Sequence, residues 1–145
     1  MSDLKAMSAF FQGDLFAKHC GIELVSLEPG YAVAKMKVQP WHFNAVGIVQ
    51  GGAIFTLADY AFAVASNTRG NVAVAVNVSI TFTKAAKAGV LSAEAREVSF
   101  SPKLASYTVN VADEAGSLIA VFQGLVYRKK ESIPGLQGQS GSVDR

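Results

Sequence analysis

The chain has 145 residues, of which 50% are hydrophobic and 17% are charged, and its formal net charge is +2. This length and composition predict one globular domain with a sizeable core and argue against a disordered chain. Apart from Arg128-Lys129-Lys130, the basic residues are scattered, so nothing indicates a nucleic-acid-binding surface.

The N-terminus indicates neither secretion nor membrane insertion. Residues 1–5 lack the basic and apolar regions of a signal peptide, and no apolar run reaches the roughly 18 residues of a membrane span. Cys20 is the only cysteine, so no intrachain disulfide can form, which fits a reducing compartment. We therefore expect a cytoplasmic protein without a membrane partner.

No metal ion or cofactor is expected. His19 and His42 are too few and too far apart for a metal site. Cys20 is predicted to be a core residue, because its sequence neighbour His19 would point about 100° away on a helix and would serve poorly as its base.

The first twenty residues predict two short helices. Apolar residues recur at helical spacing over residues 4–15, with an interruption at Gly13. Asp14 can cap a second helix that ends near Cys20, with Gly21 as its C-terminal stop.

The next segments predict a β-hairpin followed by one long helix. Residues 22–28 and 31–38 are the two strands, joined by a Pro-Gly turn. Residues 41–50 have no clean period and predict a loop. Residues 51–67 are apolar nearly all round, so they predict a buried helix.

Four consecutive strands are predicted after that helix. In residues 72–82, large side chains at even positions should face one way and small or polar ones at odd positions the other. Residues 90–100, 105–112 and 117–128 supply three more strands, with a hairpin turn at residues 113–116. Consecutive strands with short turns should be antiparallel, so we expect an α+β fold in which one helix lies against a single sheet.

The composition changes after Lys130. Residues 131–145 are rich in Gly, Ser and Gln and contain few side chains that could pack. We therefore expect a single domain over residues 1–130 and a flexible C-terminal tail over residues 131–145.

One carboxylate stands nearly alone in the most apolar part of the chain. Between Lys37 and Lys84 the only formal charges are Asp59 and Arg69, and Asp59 lies within the predicted buried helix. A buried carboxylate is costly unless it is paired, hydrogen-bonded or protonated. Two interpretations stay open on this feature alone: a structural aspartate bonded to nearby backbone, or a catalytic acid or base in a desolvated site.

The residues around Asp59 form a recognisable motif. The loop and helix read His42-Phe43-Asn44-Ala45-Val46-Gly47-Ile48-Val49-Gln50-Gly51-Gly52 and continue to Ala58-Asp59. The chain here resembles the PaaI-like branch of the hotdog-fold acyl-CoA thioesterases, over about residues 12–129. The resemblance implies the hotdog fold, in which an antiparallel β-sheet wraps one long buried helix.

The chemistry of thioester hydrolysis fits this motif. The reaction needs a donor for the carbonyl oxygen as it becomes an oxyanion, and a carboxylate that attacks the carbonyl or activates water. The first turn of a helix offers free N–H groups, and Gly51-Gly52 leaves them unshielded by side chains. The resemblance implies that Asp59 is the nucleophile or general base and that the Gly51 amide is the oxyanion donor. Asn44 would then position the water or the substrate carbonyl, although it also fits a loop residue that bonds its own turn.

The spacing of these groups implies more than one chain. Asp59 lies eight residues beyond Gly51, or about 12 Å along a helix. A carbonyl bound to the Gly51 amide would be out of reach of Asp59 in the same chain, so the two groups should come from different subunits. We expect at least a homodimer, and the resemblance favours a homotetramer.

Two further positions of the motif lie near the expected substrate. Where the family commonly has His before Gly-Gly, this chain has Gln50, whose amide can orient groups but cannot carry a proton at neutral pH. Gln50 can replace a His that only orders the loop, whereas activity would be weak or altered if that His titrates. His42 and Gly52 are placed beside the substrate, with His42 fitting a loop-shaping role better than proton transfer.

Coenzyme A recognition would require cations for its phosphates. The resemblance suggests the following residues, each of which also fits a solvated surface charge: Lys84, Lys87, Lys103 and Arg128. The first hypothesis is therefore an acyl-CoA thioesterase whose acyl group is aryl, phenylacetyl-like or medium-chain. The second is a non-catalytic hotdog module that binds acyl-CoA or another acyl carrier, with Gln50 as its signature. A hotdog hydratase fits less well, because its catalytic His with an acidic partner is not evident.

Overall fold

The computed structural model describes residues 2–134, and Met1 and residues 135–145 lie outside the described part. The elements in chain order are α1 (Ser2–Phe11), α2 (Leu15–His19), β1 (Ile22–Glu28), β2 (Tyr31–Lys37), a 3-10 turn (Pro40–His42), α3 (Gly51–Asn67), β3 (Asn71–Phe82), β4 (Val90–Phe100), β5 (Leu104–Ala112) and β6 (Leu118–Ser132).

The six strands form one antiparallel sheet in the order β1-β2-β4-β5-β6-β3. The connection from β2 to β3 is α3, which crosses the sheet and contacts every strand. The predicted α+β hotdog fold, with one long helix wrapped by an antiparallel sheet, is confirmed. The strand β3 lies at one edge of this sheet and β1 at the other.

The short helix α2 begins and ends as the sequence predicted. Asp14 is its N-cap and accepts a hydrogen bond from the Ala17 N–H at 3.0 Å. Gly21 follows with a φ of +80°, a conformation that favours glycine at a helix end.

The core lies between α3 and the concave face of the sheet. Phe62 is 1% exposed, and its ring packs 5.3 Å from Phe122 and 5.8 Å from Tyr107, between ring centroids. The Phe62 ring also covers Gly124 of β6. The helix can therefore approach the sheet closely because β6 has no side chain at this position.

The strand β3 departs from the predicted uninterrupted alternation. Ala75 pairs with Val126, but Asn77 pairs with Leu125, so Val76 is an extra residue that forms a bulge. Side chains on opposite sides of the bulge therefore alternate out of phase, and Val74 lies on the opposite face from Val78. Val76 itself is 55% exposed in the single chain. The prediction that the even-numbered residues of this strand form one continuous buried face is therefore wrong.

The ordered packing continues beyond the predicted domain boundary at residue 130. The strand β6 extends to Ser132, and Ile133 is buried with its N–H donating to the Gly70 carbonyl at 2.8 Å. The remainder of the predicted tail, residues 135–145, lies outside the described residues. Within residues 2–134, no helix has both the length and the apolar character required to cross a bilayer.

The contact between Phe62 and Gly124 gives a stability prediction. In Gly124→Ala the new Cβ would lie 2.5 Å from Phe62 Cζ, so the free energy of unfolding should fall by about 1–3 kcal/mol. The measurement is chemical denaturation of the single variant and of the same substitution in a Phe62→Leu background. The smaller leucine should relieve part of the loss, and an equal loss in both backgrounds would show that the ring is not the cause.

Candidate active site

The loop before α3 closes on itself through backbone hydrogen bonds. The Gln50 N–H donates to the His42 carbonyl at 2.7 Å, and the Asn44 N–H donates to the Ile48 carbonyl at 2.8 Å. Gly47 has a φ of +83° at the tip, which explains the glycine of the motif. The loop predicted from its lack of periodicity is therefore a compact structure of defined shape.

Asn44 holds this loop through one side of its carboxamide. Its Oδ1 accepts hydrogen bonds from the Val46 N–H at 3.0 Å and the Ile48 N–H at 3.2 Å. Its Nδ2 has no acceptor within residues 2–134. Asn44 thus bonds its own turn and still presents an unused N–H donor.

His42 is a buried structural residue, 4% exposed. Its Nδ1 accepts a hydrogen bond from the Gln39 N–H at 2.9 Å, and its Nε2 lies 3.0 Å from the Cys20 carbonyl. A carbonyl only accepts, so Nε2 carries the proton and the ring is the neutral tautomer. Since both ring nitrogens bond to backbone, this geometry corresponds to the loop-shaping role.

The first turn of α3 leaves one amide without an acceptor. Gln50 is the N-cap, and its side-chain Oε1 accepts from the Gly52 N–H at 2.6 Å. The Ala53 and Ile54 N–H groups both bond to the Gln50 carbonyl. Of the first four N–H groups of α3, those of residues 51–54, only the Gly51 N–H has no acceptor in the described part of the chain.

Gly51 lies against the end of the edge strand β3. A Cβ at this residue would meet the Phe82 ring, 3.0 Å from its Cζ. Phe82 is 50% exposed and was not singled out from the sequence, because only the fold brings the last residue of β3 beside the start of α3. The glycine therefore allows this close packing as well as access to its amide.

Asp59 is only partly buried, which corrects the expectation that α3 is covered all round. Gly52, Thr56, Asp59 and Ala63, spaced three and four residues apart, form a stripe along α3 that the chain leaves partly exposed. The Asp59 carboxylate has no hydrogen-bond partner among residues 2–134. Desolvation, with a smaller effect of the nearby Asp14 charge, raises the pKa of Asp59 above its ordinary value.

The Gly51 amide and the Asp59 carboxylate lie on the same helix but are far apart along it. Gly51 and Asp59 are the first and ninth residues of α3, so about 12 Å of regular helix separates them along its axis. Because the helix is rigid, one chain does not bring its own Gly51 amide and Asp59 carboxylate to the same atom.

A cavity of about 810 Å³ opens beside the start of α3. Its lining residues come from α2, the following loop and the first turns of α3: Phe16, His19, Cys20, Trp41, His42, Phe43, Gln50, Gly52, Ala53 and Thr56. Phe16 and Trp41 are 66% and 68% exposed, and the sequence did not single them out.

The aromatic residues of α3 belong to the core or pack against it and do not line this cavity. Phe43 lines the cavity, but Phe62 and Tyr60 are buried, and the Phe55 ring packs against Phe122. Burial, with Asp14, raises the pKa of the Cys20 thiol, which argues against a thiolate nucleophile at the cavity. Within residues 2–134, no three His, Cys, Asp or Glu side chains lie close enough to hold a metal ion.

The candidate phosphate-binding cations do not form one cluster in the chain. The Lys84 N–H donates to Ile119, while the Lys103 carbonyl accepts from Arg128, nine residues further along β6. At about 3.3 Å per residue this separation is about 30 Å. Lys84, Lys87 and Lys103 are all exposed, and the Lys84 ammonium also donates to Ser117 Oγ at 3.0 Å.

Arg128 was predicted to contact phosphates, and the structure places it differently. It is 5% exposed, and its guanidinium donates to the Ser101 and Pro102 carbonyls and to Asn71 Oδ1. Its Cζ also lies 4.2 Å from the centroid of the Phe100 ring. Its donors are used in holding the β4–β5 turn, so this geometry favours a structural role over the predicted phosphate contact.

Comparison with known proteins agrees with the fold and the motif. The family model for the thioesterase superfamily matches residues 46–120. A protein of Archaeoglobus fulgidus is 42% identical over 125 residues, covering 86% of this chain and 81% of that protein. The acyl-coenzyme A thioesterase PaaI of Escherichia coli is 33% identical over 128 residues, covering 88% of this chain and 91% of that protein.

A solved structure gives the same similarity in three dimensions. The structure of the E. coli PaaI protein from the phenylacetic acid degradation operon superimposes with a TM-score of 0.86 and 30% sequence identity. The superposition covers 90% of this chain and 96% of that one.

The buried position of Arg128 gives the second prediction. Arg128→Ala should lower the free energy of unfolding by about 2–4 kcal/mol, because the carbonyls of the β4–β5 turn lose their donors. The measurement is chemical denaturation, with the exposed neighbour changed in Lys129→Ala as the matched control. Unchanged stability in Arg128→Ala would contradict the structural role.

Proposed function

This chain belongs to the PaaI-like hotdog thioesterases of the thioesterase superfamily and is a thioester hydrolase. We propose that it converts an acyl-coenzyme A and water to a free acid and coenzyme A. The observation that carries the proposal is the pair of unpartnered groups on α3. The Gly51 N–H and the Asp59 carboxylate both lack partners within residues 2–134, and thioester hydrolysis needs a donor and a carboxylate.

Each group takes one step of the reaction. The Gly51 N–H donates to the thioester oxygen as negative charge develops on it. Asp59 attacks the carbonyl carbon as a nucleophile or removes a proton from the attacking water. If Asp59 acts on water, the carbon–sulfur bond breaks, the leaving thiolate of coenzyme A takes up the proton, and the oxygen from water ends in the product acid. If Asp59 attacks directly, the thiolate leaves a mixed anhydride of the acyl group and Asp59, which water then hydrolyses to the free acid and the regenerated carboxylate. Asn44 positions the water or the carbonyl through its unused Nδ2 donor.

The site is proposed to be shared by two subunits. The 12 Å or so between Gly51 and Asp59 cannot close within one helix. The edge strand β3 ends beside Gly51 and leaves backbone groups available for pairing with another chain. At least a homodimer is therefore proposed, with Gly51 of one protomer facing Asp59 of the other, and a homotetramer is the larger assembly we expect.

The proposed acyl group is aryl, phenylacetyl-like or medium-chain. The cavity beside α3 is bordered by the Phe16, Trp41 and Phe43 rings, which suit an apolar or aromatic group. The relative of known structure comes from the phenylacetic acid degradation operon. For the phosphates of coenzyme A, the proposed contacts are the exposed Lys87, with Lys84 near it in sequence, and Lys103. Because Lys103 lies far from Lys84 within one chain, it would contact the same coenzyme A from the other subunit.

The alternative is an acyl-binding module that does not turn over, suggested by Gln50 where relatives commonly have His. A thiol-release assay over a panel of aryl and aliphatic acyl-CoAs separates the two functions. Turnover that is lost in Asp59→Ala supports the enzyme. Saturable acyl-CoA binding without thiol release would favour the binding module.

The role of Asp59 gives the third prediction. Asp59→Asn should lower kcat at least about a hundredfold, because the amide neither attacks nor accepts a proton. Folding should be intact, and stability at neutral pH should not fall. The carboxylate has a raised pKa in the folded chain, so ionising it disfavours folding as pH rises through its titration, and the amide removes this penalty.

The readouts are kcat and the thermal melting of Asp59→Asn, with Asp14→Asn as a carboxylate-to-amide control. In the unmodified protein, kcat should fall as the pH is lowered through a midpoint above the ordinary range of Asp. Asp14→Asn should retain turnover and move that midpoint down, since Asp14 contributes to the raised pKa of Asp59. Near-normal turnover of a folded Asp59→Asn protein would end the assignment.

The shared site gives the fourth prediction, which is complementation. Asp59→Ala and Asn44→Asp should each be nearly inactive as homodimers, and Asn44→Asp keeps the Oδ1 acceptor that the loop uses. In a heterodimer one cleft would carry both changes and the other neither. By two-fold symmetry the heterodimer should therefore regain about half of the unmodified activity.

The measurement is turnover of a doubly tagged, purified heterodimer, with each tagged homodimer as the control. A heterodimer as inactive as its two parents would mean that Asn44 and Asp59 act from one chain. The composite-site model would then be wrong, while hydrolysis itself could still be measured in the unmodified protein.

A further inference from the structure

The capping of α3 differs from the other capped helix of this chain. At α2 the cap is a carboxylate, Asp14, which accepts from the Ala17 N–H. At α3 the cap is the neutral carboxamide of Gln50, which accepts from the Gly52 N–H at 2.6 Å. Because only an oxygen can accept this bond, the orientation of the Gln50 amide is fixed by its chemistry.

The Gln50 side chain determines which amide of the first turn stays free. Without its Oε1, both Gly51 and Gly52 would present unused N–H groups. With it, Gly52 is engaged and only the Gly51 N–H lacks an acceptor in the described residues. A Cβ at Gly52 would overlap Gln50 Oε1, so a glycine at this position allows the capping contact.

The neutrality of this cap matters for the reaction. A carboxylate is favoured near the positive end of a helix, so an acidic cap would stabilise α3 more than an amide does. The same negative charge would lie next to the amide that receives the developing oxyanion, and like charges in a partly desolvated site repel strongly. The requirements of helix stability and of hydrolysis therefore oppose each other at this one position.

We propose that Gln50 is a positioning residue that engages the Gly52 N–H with an uncharged acceptor and so directs the thioester oxygen to the Gly51 N–H. The inference rests on the proposed function, since it assigns Gln50 a part in the same oxyanion site. This function requires no titrating group at position 50. It predicts that a negative charge at position 50 is harmful even when the side chain still caps the Gly52 N–H.

The test is Gln50→Glu, which keeps the length of the side chain and an oxygen acceptor for Gly52 but adds a charge. Thermal melting should stay unchanged or rise, because the carboxylate interacts favourably with the helix start. At neutral pH, kcat should fall at least about tenfold, with KM changing less, since the charge opposes the oxyanion more than it opposes the neutral ground state. The matched control is Gln123→Glu, the same substitution on the exposed face of β6, which should leave kcat unchanged.

The pH profile separates charge from a structural fault. The ratio of kcat in Gln50→Glu to kcat in the unmodified protein should rise toward one as the pH falls through the titration of the new carboxyl, ordinarily near about 4.3. The ratio removes the part of the Asp59 titration that both proteins share. A charged carboxylate at position 50 would also raise the pKa of Asp59, and this effect disappears with the charge as the new carboxyl is protonated. A structural fault would leave the ratio independent of pH.

Several outcomes would overturn the proposal. They are an unchanged kcat in Gln50→Glu, a lower melting temperature with a constant kcat ratio, or an equal loss in Gln123→Glu. Absence of thiol release by the unmodified protein would instead reject the proposed hydrolysis of acyl-CoA. Turnover by the unmodified protein together with full turnover by Gln50→Glu would reject only the role of Gln50.

Discussion

The arrangement of this chain depends on how closely α3 lies in the concave sheet. Phe62 packs over Gly124, where β6 has no side chain, and the helix seats deeply enough to contact every strand. The sheet covers one side of α3 and leaves the opposite stripe partly exposed. A helix that forms the centre of the core therefore also carries a carboxylate, Asp59, at a position where it remains accessible.

A regular helix fixes the distance between the groups that it carries. Gly51 and Asp59 are about 12 Å apart along α3, and no loop movement can shorten that distance while the helix stays intact. A second subunit is therefore part of the proposed chemistry and not only of the assembly. The position of Phe82 agrees with this, because it places the unpaired edge of β3 beside the proposed oxyanion donor.

Much of the fold could be predicted because its signals are local. The bounds predicted for β1 and β4 from hydropathy, 22–28 and 90–100, coincide with the observed strands, and the Asp14 cap was visible as well. The bulge at Val76 was not predictable, because the alternation of residues 72–82 continues through it without a glycine or proline to mark the change. A bulge is a property of the pairing with β6, which one strand's sequence does not contain.

The motif identified the candidate groups of the site, but not their surroundings. Periodicity suggested that α3 was covered on all sides, whereas the exposure of Asp59 depends on how far the sheet wraps around the helix. The burial of Arg128 could not be predicted, because the carbonyls that it bonds come from a turn distant in sequence. The Arg69 guanidinium, by contrast, has a charged partner in Glu97 at 2.8 Å. Asp59 has none within the described residues, and Gln50 caps a helix without charge where an acid would stabilise it more. Both choices reduce stability at the two positions where the proposed reaction needs an available carboxylate and an oxyanion donor free of nearby negative charge.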